Sequence, residues 1–583
     1  MLIFRLLSVI TLVLLNGCAG APEKSLPTKS EKPVTHARIV EPKAKVLKEE
    51  IKTSIDPDVL FMLLTAELAG QRGQYEIALE GYLEAAKRVK DPRFAERAAM
   101  IAMYVKDSNR MNEAVTLWLR QDPGNQTARK LAALSALRAG DKKAAIAHVE
   151  ALLKVDPAGF EKALLELSGV LQKEDKPDLV YQVLDAVSLN HPDNAMVYFV
   201  GSVLAMQMNQ KEWAEKKIQQ ALLIQPGWDK ALMFQAQIAA FTGDFGKAKS
   251  VLRSASLKFP NDVKLKKLLA QVLIKAKDYN EAAQVYQGIV EAHPKDKESQ
   301  FALALVDLQL DKEERARVIF EDLLDDPEWR PQAGFYLGKI EEKHGDREKA
   351  LARYDQISDG PFAFDASVSA ISLLVKDKQF AEAESRLRLL PTKFPKQKLR
   401  ILLLQSELYS QQKQYQKAFD LLTAALLELP DDKDLLYTRA LMAERIGKVD
   451  ILEADLKKIL AKNPDNAEAL NALGYTLVDK VGRYAEAERY LTHALELVPN
   501  EAVVMDSYGW LQFKLGNLPK ALDYLQRAYA KQHENEIAAH LAEVLWMMGR
   551  KDEAKKLFKD ALKDAPDDEF LLDFKQRILD KTQ

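Results

Sequence analysis

The chain has 583 residues, with 84 Lys and Arg against 86 Asp and Glu, and the resulting net charge of -2 excludes a basic binder of nucleic acid. At 47% apolar residues it can bury cores for about three to five ordinary domains, so disorder throughout is excluded as well. One cysteine allows no intramolecular disulfide and no cysteine-based zinc site, and 24 Gly with 23 Pro are too few for a low-complexity chain.

The chain opens on a positive charge at Arg5 and an apolar run from Leu6 to Leu15, which has signal-peptide length and is short for a membrane span. It ends in Leu15-Asn16-Gly17-Cys18, which resembles the bacterial lipobox. The resemblance implies a signal peptide over 1–17, acylation of the Cys18 thiol, and Cys18 as the mature N-terminus. Ala19 follows rather than Asp. By resemblance to Gram-negative lipoproteins, that implies anchoring in the outer membrane with the body facing the periplasm. Residues 18–57 carry Pro22, Pro27, Pro33, Pro42 and Pro57 among Lys, Glu, Ser and Thr, and are expected to form a flexible tether. A free chain of about 39 residues has a root-mean-square span of roughly 35 Å.

From residue 58 the chain keeps time. Prolines recur at Pro123, Pro157, Pro192, Pro226, Pro260 and Pro294, and again at Pro327, Pro361, Pro395, Pro430, Pro464 and Pro499, at intervals of 33 to 35 residues. Small residues recur in step at Ala66, Ala102, Ala133, Ala236, Ala270, Gly338, Gly474 and Gly509, with Ala twelve residues later at Ala78, Ala114, Ala145, Ala248, Ala282 and Ala521. Each small residue marks where two helix backbones approach, and each Pro ends a second helix. Gly73, Gly140, Gly243, Gly345, Gly447, Gly516 and Gly549 hold the turn between the two helices.

Together these registers resemble the tetratricopeptide repeat over residues 58–566. The resemblance implies an all-α fold, a superhelical α-solenoid of about fifteen helical hairpins, with residues 567–583 as a polar capping helix. Val180, Ile371 and Leu452 depart from the small-residue slots, and Pro391 is expected to cut a second helix short.

No His-Glu-x-x-His, Gly-x-Ser-x-Gly, P-loop or Gly-x-Gly-x-x-Gly is present in the sequence. The expectation is therefore no enzyme, no catalytic residue, no cofactor and no metal. The asset of a solenoid is its concave wall, where first-helix side chains are released from the core.

The last units are the most informative. The residues three before and one after Gly474 and Gly509 place Asn471, Tyr475, Asp506 and Trp510 in adjacent rows. Glu543 and Trp546 extend the strip, with Lys514 and His540 flanking it. Amphipathic rings beside hydrogen-bonding groups suit an extended peptide, and the same Trp side chains also suit packing between repeats.

The segments 506–510 and 536–546 also resemble the carboxy-terminal repeats of proteobacterial outer-membrane lipoproteins, among them adaptors of the LbcA type. That resemblance implies a noncatalytic adaptor, bound to the membrane through its lipid. Its partners would be a carboxyl-terminal processing serine protease and peptidoglycan hydrolases, with no nucleic acid. The alternative is an assembly scaffold or pilotin for a secretion, pilus or cell-wall machine.

Overall fold

In this computed structural model, residues 56–582 are described apart from 175 and 177. Cys18 and the tether as far as residue 55 lie outside the described residues, whereas Asp56 and Pro57 cap and begin the first helix. Thirty helices follow one another from Pro57 to Asp564 as fifteen successive pairs, and a short closing helix, Glu569–Phe574, follows them. There is no strand among the described residues, and no described helix is long and apolar enough to cross a membrane.

The local chemistry of one pair explains the rest. Asp262 caps the helix Val263–Lys275 by accepting from the backbone N–H groups of Lys264 and Leu265. The helix buries Leu265, Leu269, Ala270, Val272 and Leu273. Its partner Tyr279–Ala292 returns with Ala282, Tyr286 and Ile289 inside. Between the two, Lys277 takes φ 63°, a left-handed conformation that leaves the helix and satisfies its last carbonyls. The glycines of the 34-residue clock occupy this slot, Gly243 at φ 86° and Gly447 at φ 74°, whereas Lys106, Asn209, Asp311, Lys378 and Lys413 fill it in other units.

The described residues divide into two compact units, one ending at Ile319 and the other beginning at Phe320. In the first, Leu79, Tyr82, Met111 and Trp118 share one core cluster, Leu164, Val183, Val200 and Ile218 a second, and Leu252, Leu273 and Tyr286 a third. In the second unit, Ile371, Leu374 and Leu387 form one cluster, and Leu422, Leu456, Leu473, Leu491 and Leu511 another.

Two sequence expectations are corrected. The turn bond from Gln74 N–H to the Ala69 carbonyl matches the bond from Asp107 N–H to the Ala102 carbonyl. Ala102 therefore corresponds to Ala69, and the helix-crossing residue of that unit is Ala99. By the same reasoning Met111, not Ala114, corresponds to Ala78. The slip is one helical turn, in a helix that buries Ala95, Ala98, Ala99 and Ala102 alike. Pro391 does not cut its helix short: Phe380–Lys393 runs two residues past it, because only the last turn is left to be held.

Candidate protein-binding site

The carboxy-terminal strip is built on three first helices of the second unit and the segment after the closing helix. Asn471 and Tyr475 lie one turn apart on Ala467–Thr476, a helix brought close to its partner by Gly474. A Cβ there would stand 2.6 Å from Leu491 Cγ. Asp506 and Trp510 lie one turn apart on Ala502–Lys514, where a Cβ on Gly509 would meet Leu525 at 2.8 Å. His540, Glu543 and Trp546 ride on Asn535–Met547, and Arg577 follows the closing helix.

These side chains meet. His540 Nδ1 lies 3.0 and 3.1 Å from the two carboxylate oxygens of Asp506, and its ring stacks on Trp510 at 4.0 Å between centroids. Trp510 Nε1 donates to Asp479 at 3.4 Å, Phe513 stacks on the same indole at 5.0 Å, and Lys514 Nζ sits 4.2 Å from its centroid. The Tyr475 hydroxyl donates to Glu536 at 2.5 Å. Arg577 donates twice to Glu543, at 2.6 and 3.1 Å, and Arg445 pairs with Glu569 at 2.5 Å.

Burial decides what the strip can do. Trp510 is 3% exposed and His540 6%, so the strip is closed over its own rings rather than lying open as a flat wall. Tyr475 and Lys514 are half-buried and still reach its surface. Asn471 is 9% exposed, yet its Oδ1 accepts no hydrogen bond among the described residues. An unsatisfied buried acceptor costs about 1–3 kcal/mol, and a peptide N–H would satisfy it.

The electrostatics follow from the same enclosure. Burial works against a charge on His540, but the carboxylates of Asp506, Glu536 and Asp479 outweigh it and hold the imidazole above its ordinary value. Burial raises Glu536, and burial together with the Glu536 charge raises the Tyr475 phenol far above its usual range. Burial opposes the charge on Asp479, yet Lys480 and the Trp510 N–H bring its carboxyl below the usual value.

Of the residues expected from sequence, Asn471, Tyr475, Asp506, Trp510, Lys514, His540 and Glu543 belong to this cluster or its edge. His540 is at the centre and not on the flank. Trp546 stands apart, packed against the buried cluster of Ala521, Leu525, Leu541 and Leu545 and faced by Lys551 and Lys555 at 5.1 and 5.7 Å. Asp479, Phe513, Glu536 and Arg577 escaped the sequence reading. Arg577 had a visible signal: Asp506 with His540, and Glu543 with Arg577, are each opposite charges 34 residues apart, one repeat period.

Comparisons of the sequence with known proteins identify the repeat. Models described as tetratricopeptide repeat match residues 242–306, 465–532 and 512–578. The TPR repeat-containing protein PA4667 of Pseudomonas aeruginosa is 33% identical over 538 residues, which span 91% of this chain and 89% of that protein. Among solved structures, yeast Tom70 is 16% identical, covering 69% of this chain and 92% of its own, at a TM-score of 0.37. A thermophilic TPR protein of Thermus thermophilus is 28% identical, covering 30% of this chain and 95% of its own, at a TM-score of 0.28.

Proposed function

Because this chain belongs to the family of tetratricopeptide-repeat-containing proteins, whose role is protein–protein interaction, we propose that it is a noncatalytic adaptor anchored in the outer membrane and facing the periplasm. In this reading, acylated Cys18 holds the chain to the membrane. The repeat array brings a carboxyl-terminal processing serine protease together with substrates such as peptidoglycan hydrolases, and holding both on one scaffold raises their effective concentration.

The observation that carries a binding role is the buried Asn471 acceptor, left without a hydrogen-bond partner among the described residues one helical turn from Tyr475. An extended segment entering there supplies N–H groups to Asn471 and packs on half-buried rings, in the manner of a peptide on an aromatic-lined groove. The protease and the cell-wall hydrolases come from the resemblance of residues 506–510 and 536–546 to adaptor lipoproteins, and the membrane from the lipobox-like residues 15–18.

Affinity capture from solubilised envelopes tests this. Recovery of a serine protease with peptidoglycan hydrolases supports the adaptor, whereas recovery of secretin or cell-wall synthase subunits replaces it with an assembly scaffold. Cys18→Ser should release the protein from the outer-membrane fraction. A variant that stays with that fraction through washing rules out lipid anchoring.

A further inference from the structure

Around Tyr475 the second unit offers acceptors in excess of donors. The Tyr475 hydroxyl donates its proton to one oxygen of the half-buried Glu536 carboxylate, and the other oxygen is free. One turn earlier on the same helix face, the buried Asn471 Oδ1 accepts nothing among the described residues. Glu444, on the first helix Lys433–Arg445, is half-buried as well. Its carboxylate accepts no hydrogen bond and enters no ion pair among the described residues.

These groups converge although two other first helices separate Lys433–Arg445 from Asn535–Met547. Arg445, the neighbour of Glu444 in sequence, pairs with Glu569 of the closing helix at 2.5 Å, just as Tyr475 reaches Glu536. Burial raises the carboxyls of Glu444 and Glu536 alike, and the charge of Glu444 adds to the rise at Glu536. Burial with the charges of Glu468 and Glu444 pushes the Tyr437 phenol up to about 12. Charges felt at one another in this way are close and poorly screened.

The cations already present are committed. Arg445 holds Glu569, Lys480 pairs with Asp479 at 2.8 Å, and Lys514 lies on the Trp510 ring. His540 is bound to Asp506, and its charge only partly offsets the burial of Glu536. Two half-buried carboxylates are thus left without a counter-ion. The unpaired Asn471 Oδ1 sets this place apart from a solvated acidic patch, because a buried acceptor without a donor has a cost that a ligand can remove. An ammonium or a guanidinium brings donors and no acceptor, and the tyrosine rings attract it further. An anionic side chain entering there would leave three charges of one sign in poor contact with water.

We infer that the protein segment taken by this groove carries a lysine or arginine side chain, whose cation is received by Glu444 and Glu536 while Asn471 accepts a further N–H of the same segment. The inference rests on the carboxy-terminal strip being the binding site, and it adds the chemistry of the partner.

Equilibrium binding to the immobilised full chain at low ionic strength tests it. The probes are four capped peptides, Gly-Ser-Tyr-Leu-X-Leu-Tyr-Ser-Gly, in which X is Lys, Arg, norleucine or Glu. The Lys and Arg peptides should bind at least about tenfold more tightly than the norleucine peptide, and the Glu peptide most weakly. Glu444→Gln combined with Glu536→Gln should abolish that preference. It should leave norleucine-peptide binding unchanged and the melting temperature equal or higher, since Gln keeps an acceptor for Tyr475. Asn471→Ala should weaken all four peptides alike. Equal binding of the four, or a preference that survives the double Gln variant, overturns the inference and leaves the groove standing as a binding site. Absence of binding by every peptide into the millimolar range overturns the groove and the inference together.

Discussion

At the carboxy-terminal end of the array, the last hairpin lays Ala538, Phe558 and Ala561 against Leu571 and Phe574 of the closing helix, and Arg577 clamps Glu543 from outside. At the amino-terminal end of the described residues, Phe61, Leu64 and Leu68 face solvent. Stacked repeats cover each other's apolar faces, so the two terminal faces are where sequence must supply something extra. The carboxy-terminal end ends on a polar shell. The amino-terminal helix, by contrast, still displays its apolar side chains. That difference separates a finished end, covered by its closing helix, from an end whose apolar face is open among the described residues.

The largest effect expected is at the finished end. Leu571 and Phe574 are 0 and 1% exposed, and burying an apolar side chain is worth about 1.5–3 kcal/mol. A chain stopped at residue 566 should lose roughly 3–6 kcal/mol in its last hairpins and associate through Phe558. Calorimetry with sedimentation reads both, and an unchanged melt would show that the closing helix covers nothing. Trp510→Ala comes next, at about 3–5 kcal/mol for a large ring removed from a closed cluster. A small loss, under about 1 kcal/mol in a denaturant titration, would mean that the strip lies open.

A third test uses pH. The raised His540 value contributes stability that is fully present below its ordinary value near 6.5 and is lost as pH climbs through the folded value. The raised Glu536 acts with the same sign above its own ordinary value. The carboxy-terminal hairpins should therefore melt at lower temperature as pH rises from 6 to 9, and His540→Asn should flatten the slope. A melting temperature that rises over that range would contradict the buried His540–Asp506 pair. The smallest effect is at a turn. Lys277 holds a left-handed conformation that costs a non-glycine residue about 1 kcal/mol or more. Lys277→Gly should gain roughly 0.5–1 kcal/mol after the added flexibility of the unfolded chain is set against it. A destabilised variant would point to side-chain contacts made by Lys277.

Much of this was legible because a repeat prints its physics many times over. Pro226, Pro260 and Pro294 gave the period, and Gly243 and Gly447 gave the turns. The absence of Gly from other units hid that Lys106 and Asn209 fill the same left-handed slot. In the second hairpin, four buried alanines offered two equally good registers, and only the turn bonds selected Ala99. The spacing from Gly474 and Gly509 put Asn471 and Tyr475 on one first helix and Asp506 and Trp510 on the next, where the structure has them. The enclosure of the strip was not visible, because the groups that close it come from other elements: Glu536 lies 61 residues from Tyr475, and Glu569 lies 124 from Arg445.

The proposed binding role can be separated from stability at one residue. Asp506 and Trp510 cannot provide that separation, since both are buried and their loss would loosen the last hairpins. Asn471 can, because its Oδ1 is already unsatisfied, so Asn471→Ala should leave the melting temperature equal or higher. Quantitative capture of the proposed protease and hydrolase partners by the full chain and by Asn471→Ala is the direct measurement. The expected result is retention weakened about tenfold, roughly 1.4 kcal/mol, at undiminished stability. Unchanged retention by a variant of unchanged stability would contradict the carboxy-terminal strip as the binding site.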